Sequence, residues 1–347
     1  MERFHQRDSS TGSADRLARE MVDDPHPRHR GHTGPLVCIE NDSLDKISEA
    51  RGGDGFIWLN LRGATKEEIQ KAGDALGLHP LTIEDLQEFD QRAKVEEYGH
   101  YVYIVTYGAT TEAHDQDSLN EIHIVYAPEY LLTVAAETSP TLMKMHESIG
   151  DKATGGHVLL HEVLDRLVDS YGPLLDRFDR EIEELEEKVV ERDLRGRELE
   201  IHKLRRRLGR VNRAVHRELE SFTRLPEALR RMPDHNPDDA PYFRDVRDHL
   251  ISVGESADAM RERVDSLFEL YMAALDNRQN IVMKQFTVIA GIFLPLSVVT
   301  GFFGMNFGWM VTHIESQTDF LLLGVAVPLV VAGGLIAVIA ARGLFRE

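Results

Sequence analysis

Cysteine is nearly absent from this chain of 347 residues: Cys38 stands alone. A single thiol excludes an intrachain disulfide and any paired-cysteine zinc or redox site, so the fold must be held by packing. Basic residues are in deficit, 40 Lys and Arg against 59 Asp and Glu, for a net charge of −19. That balance repels nucleic-acid phosphate and anionic head groups and attracts multivalent cations. The phosphate-cradling and nucleophile signatures G-x-x-x-x-G-K-[ST], G-x-G-x-x-G and G-x-S-x-G are missing too. The expectation is a protein that is not an enzyme, uses no organic cofactor and binds no nucleic acid. Residues 1–35 have few aliphatics and lack the apolar run of a secretory signal, which predicts a disordered tail. His26, His29 and His32 within it read as solvated rather than as a metal site.

Charge itself is missing from two long stretches near the C-terminus. Residues 286–303 read FTVIAGIFLPLSVVTGFF inside a charge-free run from Gln285 to Thr312, and Phe320 to Ala341 form a second. Each is long enough to cross a bilayer, whereas a core helix of that length would keep a polar face. Arg278 and Lys284 precede the first span, Arg342 and Arg346 follow the second, and the connector carries Glu315 and Asp319 without a base. These flanks predict a cell-membrane hairpin with both termini cytoplasmic and 307–319 as an external loop.

Ahead of the spans, strand-like runs start at 56 (FIWLNL), 100 (HYVYIVTYG), 120 (NEIHIVYA) and 130 (YLLTVAAE) and alternate with helical stretches. The pattern predicts an α/β cytoplasmic domain over 36–156. One helix starts at Thr65, whose T-x-x-E spacing to Glu68 is a capping box, and ends near Gly77; another has Ser139 as cap and Pro140 in its first turn. Residues 157–241 are helical and charged, acidic at 179–188 and basic at 191–210. That arrangement predicts a hairpin turning near Gly196 and paired through its own charges.

Proline is absent between Pro241 and Pro295, which permits one helix from Tyr242 into the membrane. Over its stalk part, 242–284, Val246, Leu250, Val253, Ala257, Met260, Val264, Leu267, Tyr271 and Ala274 follow at steps of four and three, a heptad seam. A lone helix cannot bury that seam, so it packs on the preceding hairpin or on other copies of the chain. Asp245 and His249 lie one turn apart beside it.

Two spans in one chain cannot enclose an aqueous path, but several copies of the first can. Met283, Phe286, Ala290, Leu294, Ser297, Gly301 and Gly304 share one face and mix apolar with small or hydroxyl positions, as a gated pore would. Small-residue helix packing has the same period. Pro295 frees the carbonyl of Gly291. The segment 285–306 closes on Gly304-Met305-Asn306, where the negative end of the helix dipole and a neutral amide oxygen suit hydrated Mg²⁺.

FGMN closing the first of two C-terminal spans, after P-L-S-V-V-T-G, resembles the CorA family of magnesium and cobalt transporters. HPLTIEDLQEFDQRAKVEEYGHYVYIV (79–105) and YFRDVRDHLISV (242–253) are similar to its cytoplasmic domain and stalk helix. The resemblance implies a homopentameric funnel with a pore lined by the first span, including Met283, Leu294 and Ser297. It further implies that Asn306, supported by Gly304 and Met305, is the selectivity ring. Intersubunit divalent sites would fall on Asp85 and Asp245, with Glu84 and His249 nearby, where Mg²⁺ offsets carboxylate repulsion and favours a closed state. Mg²⁺ is then both cargo and regulator, and the partners are divalent ions, membrane lipid and further copies of the chain.

The loop FGWMVTHIESQTD departs from the acidic, proline-bearing M-P-E-L type, which leaves its part in ion recruitment open. Within the family, Zn²⁺ or Co²⁺ transport is the alternative, and Met305 favours the magnesium branch. Outside it, a membrane-anchored coiled-coil scaffold or sensor accounts for the stalk and anchors, but not for a span ending in GMN. Residues 320–341 are the second span and 342–347 a cytoplasmic tail.

Overall fold

The computed structural model describes residues 36–110, 118–137, 139–149, 155–305, 308, 313 and 316–341. The tail over 1–35, Asn306, most of the external loop and the segment 342–347 lie outside the described residues. The chain divides into two units, 1–177 with 209–258 and 178–208 with 259–347.

The first unit is built on a mixed sheet of β1 (Val37–Glu40), β2 (Ile57–Arg62), β3 (Lys94–Glu97), β4 (Val102–Thr110), β5 (Ser118–Ala127) and β6 (Tyr130–Ala135). The spatial order is β1-β2-β6-β5-β4-β3; β1, β2 and β6 run parallel and the remaining pairs antiparallel. β2 is buried along nearly its whole length, as a parallel strand covered on both faces must be. Four strands coincide with the runs read from sequence. β1 and β3 do not, because four residues are too few to establish an alternation.

Short helices α1 (Ile47–Arg51), α2 (Lys66–Leu76) and α3 (Pro80–Leu86) contribute Ile47, Ile69 and Ile83 to a core shared with Leu59, Tyr103 and Val134 of the sheet. The Thr65–Glu68 capping box is formed, an arrangement whose loss costs about 1 kcal/mol, and Gly77 ends α2 at φ 73°. α4 (Pro140–Ile149) is capped by Ser139 Oγ, which accepts from the Leu142 N–H at 3.4 Å. α5 (Gly156–Asp169) packs on β4, β5 and β6. A Cβ at Gly108 would stand 2.8 Å from Leu167 Cδ2, so the missing side chain is what lets α5 approach β4.

α6 (Tyr171–Val190) and α7 (Arg197–Phe222) form the expected hairpin, with Gly196 at φ 75° in the turn. After the short α8 (Leu225–Arg230), α9 runs unbroken from Ala240 to Phe303, 64 residues or about 96 Å. Most of its seam is buried within one chain, Val246, Leu250 and Ala257 in the first unit and Val264, Leu267 and Tyr271 in the second, while Val253, Met260 and Ala274 are half-buried. In the first unit Asn212 Nδ2 of α7 donates to Asp258 Oδ1 of α9 at 2.7 Å. In the second, Arg207 of α7 grips Glu181 of α6 through both carboxylate oxygens at 2.6 and 3.0 Å, and Arg263 of α9 pairs with Asp179 and Glu186 of α6. The hairpin's charges thus pair with each other and with the stalk.

The membrane-length part of α9 is apolar, and its most apolar eighteen-residue window contains no buried residue, unlike the core helix of a soluble protein. The second span begins with a π-helical stretch, Phe320–Ala326, and continues as α10 (Val327–Ala341).

Candidate functional site

α5 carries His157, His161, Asp165 and Asp169 at intervals of four, which lines them along one side of the helix. α9 carries Asp245 and His249 at the same interval, and the two sets meet. Ligand atoms of His161, Asp165 and Asp245 lie within 4.8 Å of one another, and so do those of Asp165, Asp169 and His249. Asp165 belongs to both groups. Its Oδ1 stands 3.4 Å from His249 Nδ1, while His249 Nε2 is 3.8 Å from Asp245 Oδ1.

Two atoms of this cluster, His161 Nε2 and Asp165 Oδ1, are buried without a hydrogen-bond partner. Such a group costs about 1–3 kcal/mol, which a cation between the helices would offset. Burial, and then the charge of Asp165, hold the Asp169 carboxyl above the usual carboxylate range against the pull of His249 and Arg166. Sequence reasoning singled out Asp245 and His249 but missed His161, Asp165 and Asp169. Their four-residue spacing was a visible signal; the helix that faces them was not.

α3 exposes Glu84 and half-buries Asp85. Asp85 Oδ2 pairs with Lys94 Nζ at 2.5 Å across the turn to β3, and Lys94 also reaches Glu96 at 3.3 Å. Burial opposes the charge on Lys94, but Asp85 and Glu96 outweigh it and raise its pKa. Within one chain, then, Asp85 sits with Lys94, and Asp245 sits with His249 and the α5 residues.

Along the first span, Met283, Phe286 and Leu294 are 65%, 66% and 71% exposed, which leaves this stripe free to face other helices or water. Ala290, Ser297 and Gly301 are exposed with them. Ser297 Oγ–H donates to the Phe293 carbonyl at 2.8 Å, so its oxygen remains an acceptor. At the helix end the Gly304 N–H reaches Thr300 O at 3.0 Å and the Met305 N–H reaches Phe302 O at 3.2 Å. A Cβ on Gly304 would crowd Thr300 O at 3.2 Å, a reason for glycine where the chain leaves the helix.

The sequence profile of CorA-like Mg²⁺ transporter proteins matches residues 53–341. The chain belongs to the CorA-like family. It is 31% identical over 280 residues to the cobalt/magnesium transport protein CorA of Thermotoga maritima, covering 78% of this chain and 79% of that one. The putative metal ion transporter YfjQ of Bacillus subtilis is 26% identical over 298 residues, 84% of this chain and 91% of its own. The structure of CorA magnesium transporter from Methanocaldococcus jannaschii superposes with a TM-score of 0.71 at 21% identity, over 82% and 89% of the two chains. This CorA-like chain thus has the CorA fold: an α/β sheet domain, a long helix and two membrane-length helices.

The α5–α9 cluster suits a divalent ion chemically. Three carboxylates, Asp165, Asp169 and Asp245, match the oxygen preference of Mg²⁺, which keeps several of its waters. The two imidazoles, His161 and His249, suit softer divalent ions.

Proposed function

We propose that the chain is one subunit of a homopentameric Mg²⁺ transporter of a cell membrane, with both termini cytoplasmic and 307–319 outside. The observation that carries this reading is the continuity of α9. Its stalk part packs on its own hairpin, and the same helix then runs through a charge-free, unburied stretch that ends at Phe303, immediately before Gly304-Met305-Asn306. Such a helix needs lipid on one side and, for ions to pass, copies of itself on the other. Met283, Phe286 and Leu294 form apolar constrictions, with Ala290, Ser297 and Gly301 as small or acceptor positions between and beyond them. A ring of Asn306 oxygens, supported by Gly304 and Met305, holds hydrated Mg²⁺ at the external mouth without the strong grip of a carboxylate. No organic cofactor and no catalytic step is assigned.

Cytoplasmic Mg²⁺ also acts as regulator. It binds near Asp245 and His249, with Asp165 beneath them, and draws in Asp85 and Glu84 of the adjacent copy. Lys94 holds Asp85 when the ion is scarce and is displaced when it is abundant. The bound ion offsets carboxylate repulsion and shifts the population towards the closed state. A second reading, Co²⁺ or Zn²⁺ as cargo or regulator, draws support from the two imidazoles of the cluster.

Asn306→Ala should abolish Mg²⁺ uptake into liposomes while leaving the oligomer's size unchanged. Near-normal uptake by that variant overturns the pore assignment. Competition between Mg²⁺, Co²⁺ and Zn²⁺ ranks the ions, and a scaffold or sensor would pass none of them.

A further inference from the structure

Glu218 of α7 is buried at 1% exposure and takes no part in the cluster described above. Its Oε1 accepts from Thr106 Oγ1 at 2.6 Å and from the Tyr107 N–H at 2.7 Å, both on β4. Its Oε2 accepts from the Tyr171 hydroxyl at 2.7 Å, at the start of α6. One carboxylate thus joins a strand and two helices, and among the described residues no Lys, Arg or His forms an ion pair with it.

Three donors aimed at one acceptor-only group favour the anion, but full burial outweighs them and pushes the pKa up to about 7. The ionisable groups around it come from each packed element. Tyr171 on α6 is held far above its ordinary value by burial and by the charge of Glu218. Tyr107 on β4 is pushed up to about 12, chiefly by burial, with Glu121 of β5, Arg217 of α7 and Asp90 around it.

The same stretch of α7 touches the stalk. Asn212 donates to Asp258 of α9, His216 Nε2 lies 3.2 Å from the same carboxylate, and a Cβ at Gly254 of α9 would lie 3.6 Å from Val215. A glutamine at 218 would satisfy the three elements without charge, accepting two bonds at Oε1 and donating to the Tyr171 oxygen from Nε2. Glutamate makes the joint proton-dependent.

We propose that Glu218 is a proton-operated latch between the sheet and the helix on which the stalk rests, tight when protonated and loosened when ionised. The direction follows from linkage. Between the ordinary carboxylate range and pH of about 7, the folded chain keeps a proton that the unfolded chain has lost. Stability therefore falls as pH rises through that window, and the face of α7 beneath Gly254 and Asp258 loosens with it.

The test uses the full-length protein in detergent, with urea unfolding and hydrogen exchange of β4 and α7 followed from about pH 6 to about pH 8. The wild type should lose about tenfold more of its folding equilibrium across that interval than Glu218→Gln. His157, whose pKa Asp234 raises against the pull of burial, tilts stability the same way in both proteins, so the difference between them is the readout. Tyr171→Phe removes a donor to the anion and should move the loosening to higher pH. Parallel profiles for wild type and Glu218→Gln overturn the latch. If Glu218→Gln does not fold, a Tyr171→Phe midpoint that stays put or falls overturns it.

Only the link to transport rests on the function proposed above. The pH dependence of Mg²⁺ uptake should flatten in Glu218→Gln, and an unchanged profile would overturn that link. Wild-type protein that takes up no Mg²⁺ at any pH would refute the transport reading and leave the latch standing.

Discussion

Asp165→Asn replaces the one carboxylate shared by both halves of the α5–α9 cluster with a neutral side chain of the same shape. Its ligand oxygen lies within 4.8 Å of one on Asp245 and of one on Asp169. Two like charges at that distance repel by roughly 0.9 kcal/mol in water and roughly 3.5 kcal/mol at an effective dielectric of 20. Asp169 and Asp245 are exposed, which favours the lower figure, so relieving both pairs contributes about 2 kcal/mol to the metal-free protein. Asp165 Oδ1 makes no hydrogen bond that the substitution would lose, and an asparagine oxygen there can still face His249 Nδ1, which lies 3.4 Å away and is half-exposed. Melting without metal should therefore rise by about 4–8 °C. Stabilisation by Mg²⁺ should move the other way. Loss of one charged ligand, at about 1.4 kcal/mol, demands roughly tenfold more Mg²⁺ for the same shift. The assay is thermal unfolding of the detergent-solubilised protein with and without Mg²⁺ at one fixed pH. A purely structural Asp165 would give the opposite: lower melting without metal and an unchanged response to Mg²⁺. That pair of results would refute a metal site on this face.

Lys94→Met should free Asp85 for the regulatory ion. The pair is 27% exposed at Lys94 and 31% at Asp85 and contributes about 1 kcal/mol, so Mg²⁺-dependent closure should need about fivefold less Mg²⁺ in flux measurements; an unchanged or higher requirement counts against Lys94 as competitor. Burial opposes the charge on His157, but the Asp234 carboxylate at 3.1 Å, aided by Asp239, holds its pKa above the ordinary 6.5. The stability this adds is complete below 6.5 and lost as pH rises through the raised value. Asp234→Asn should let His157 titrate at lower pH by histidine NMR, and an unmoved titration would contradict the pairing. For topology, Ser316→Cys in a Cys38→Ser background should react with an impermeant maleimide on intact cells, whereas Ser256→Cys should not. The reverse pattern would invert the hairpin.

Features set by neighbours along the chain are legible in the amino-acid sequence itself. Thr65, Glu68 and Gly77 bound α2 because caps satisfy backbone groups within one turn. Gly196 marks the hairpin turn because it adopts a positive φ at no steric cost. The two spans announce themselves because a charge-free stretch needs no partner to be recognised, only length. The seam from Val246 to Tyr271 is visible as a period, though the sequence leaves open whether the chain itself or another copy covers it; within one chain Val246, Leu250, Ala257, Val264, Leu267 and Tyr271 are already buried.

What brings distant residues together was decided only by tertiary packing. Asp245 and His249 are legible in the sequence as a pair one turn apart, but that α5 sets Asp165 and its companions against them is not, because the rotation of two helices about their axes depends on every side chain between them. Lys94 and Asp85, nine residues apart, meet because β3 joins the edge of a sheet it could not have announced with four residues. Glu218 reads as one more charge in a charged helix. Only the fold reveals that its side of α7 is buried against β4 and α6, because whether a carboxylate meets water or three donors is a property of the surrounding surface rather than of the residue.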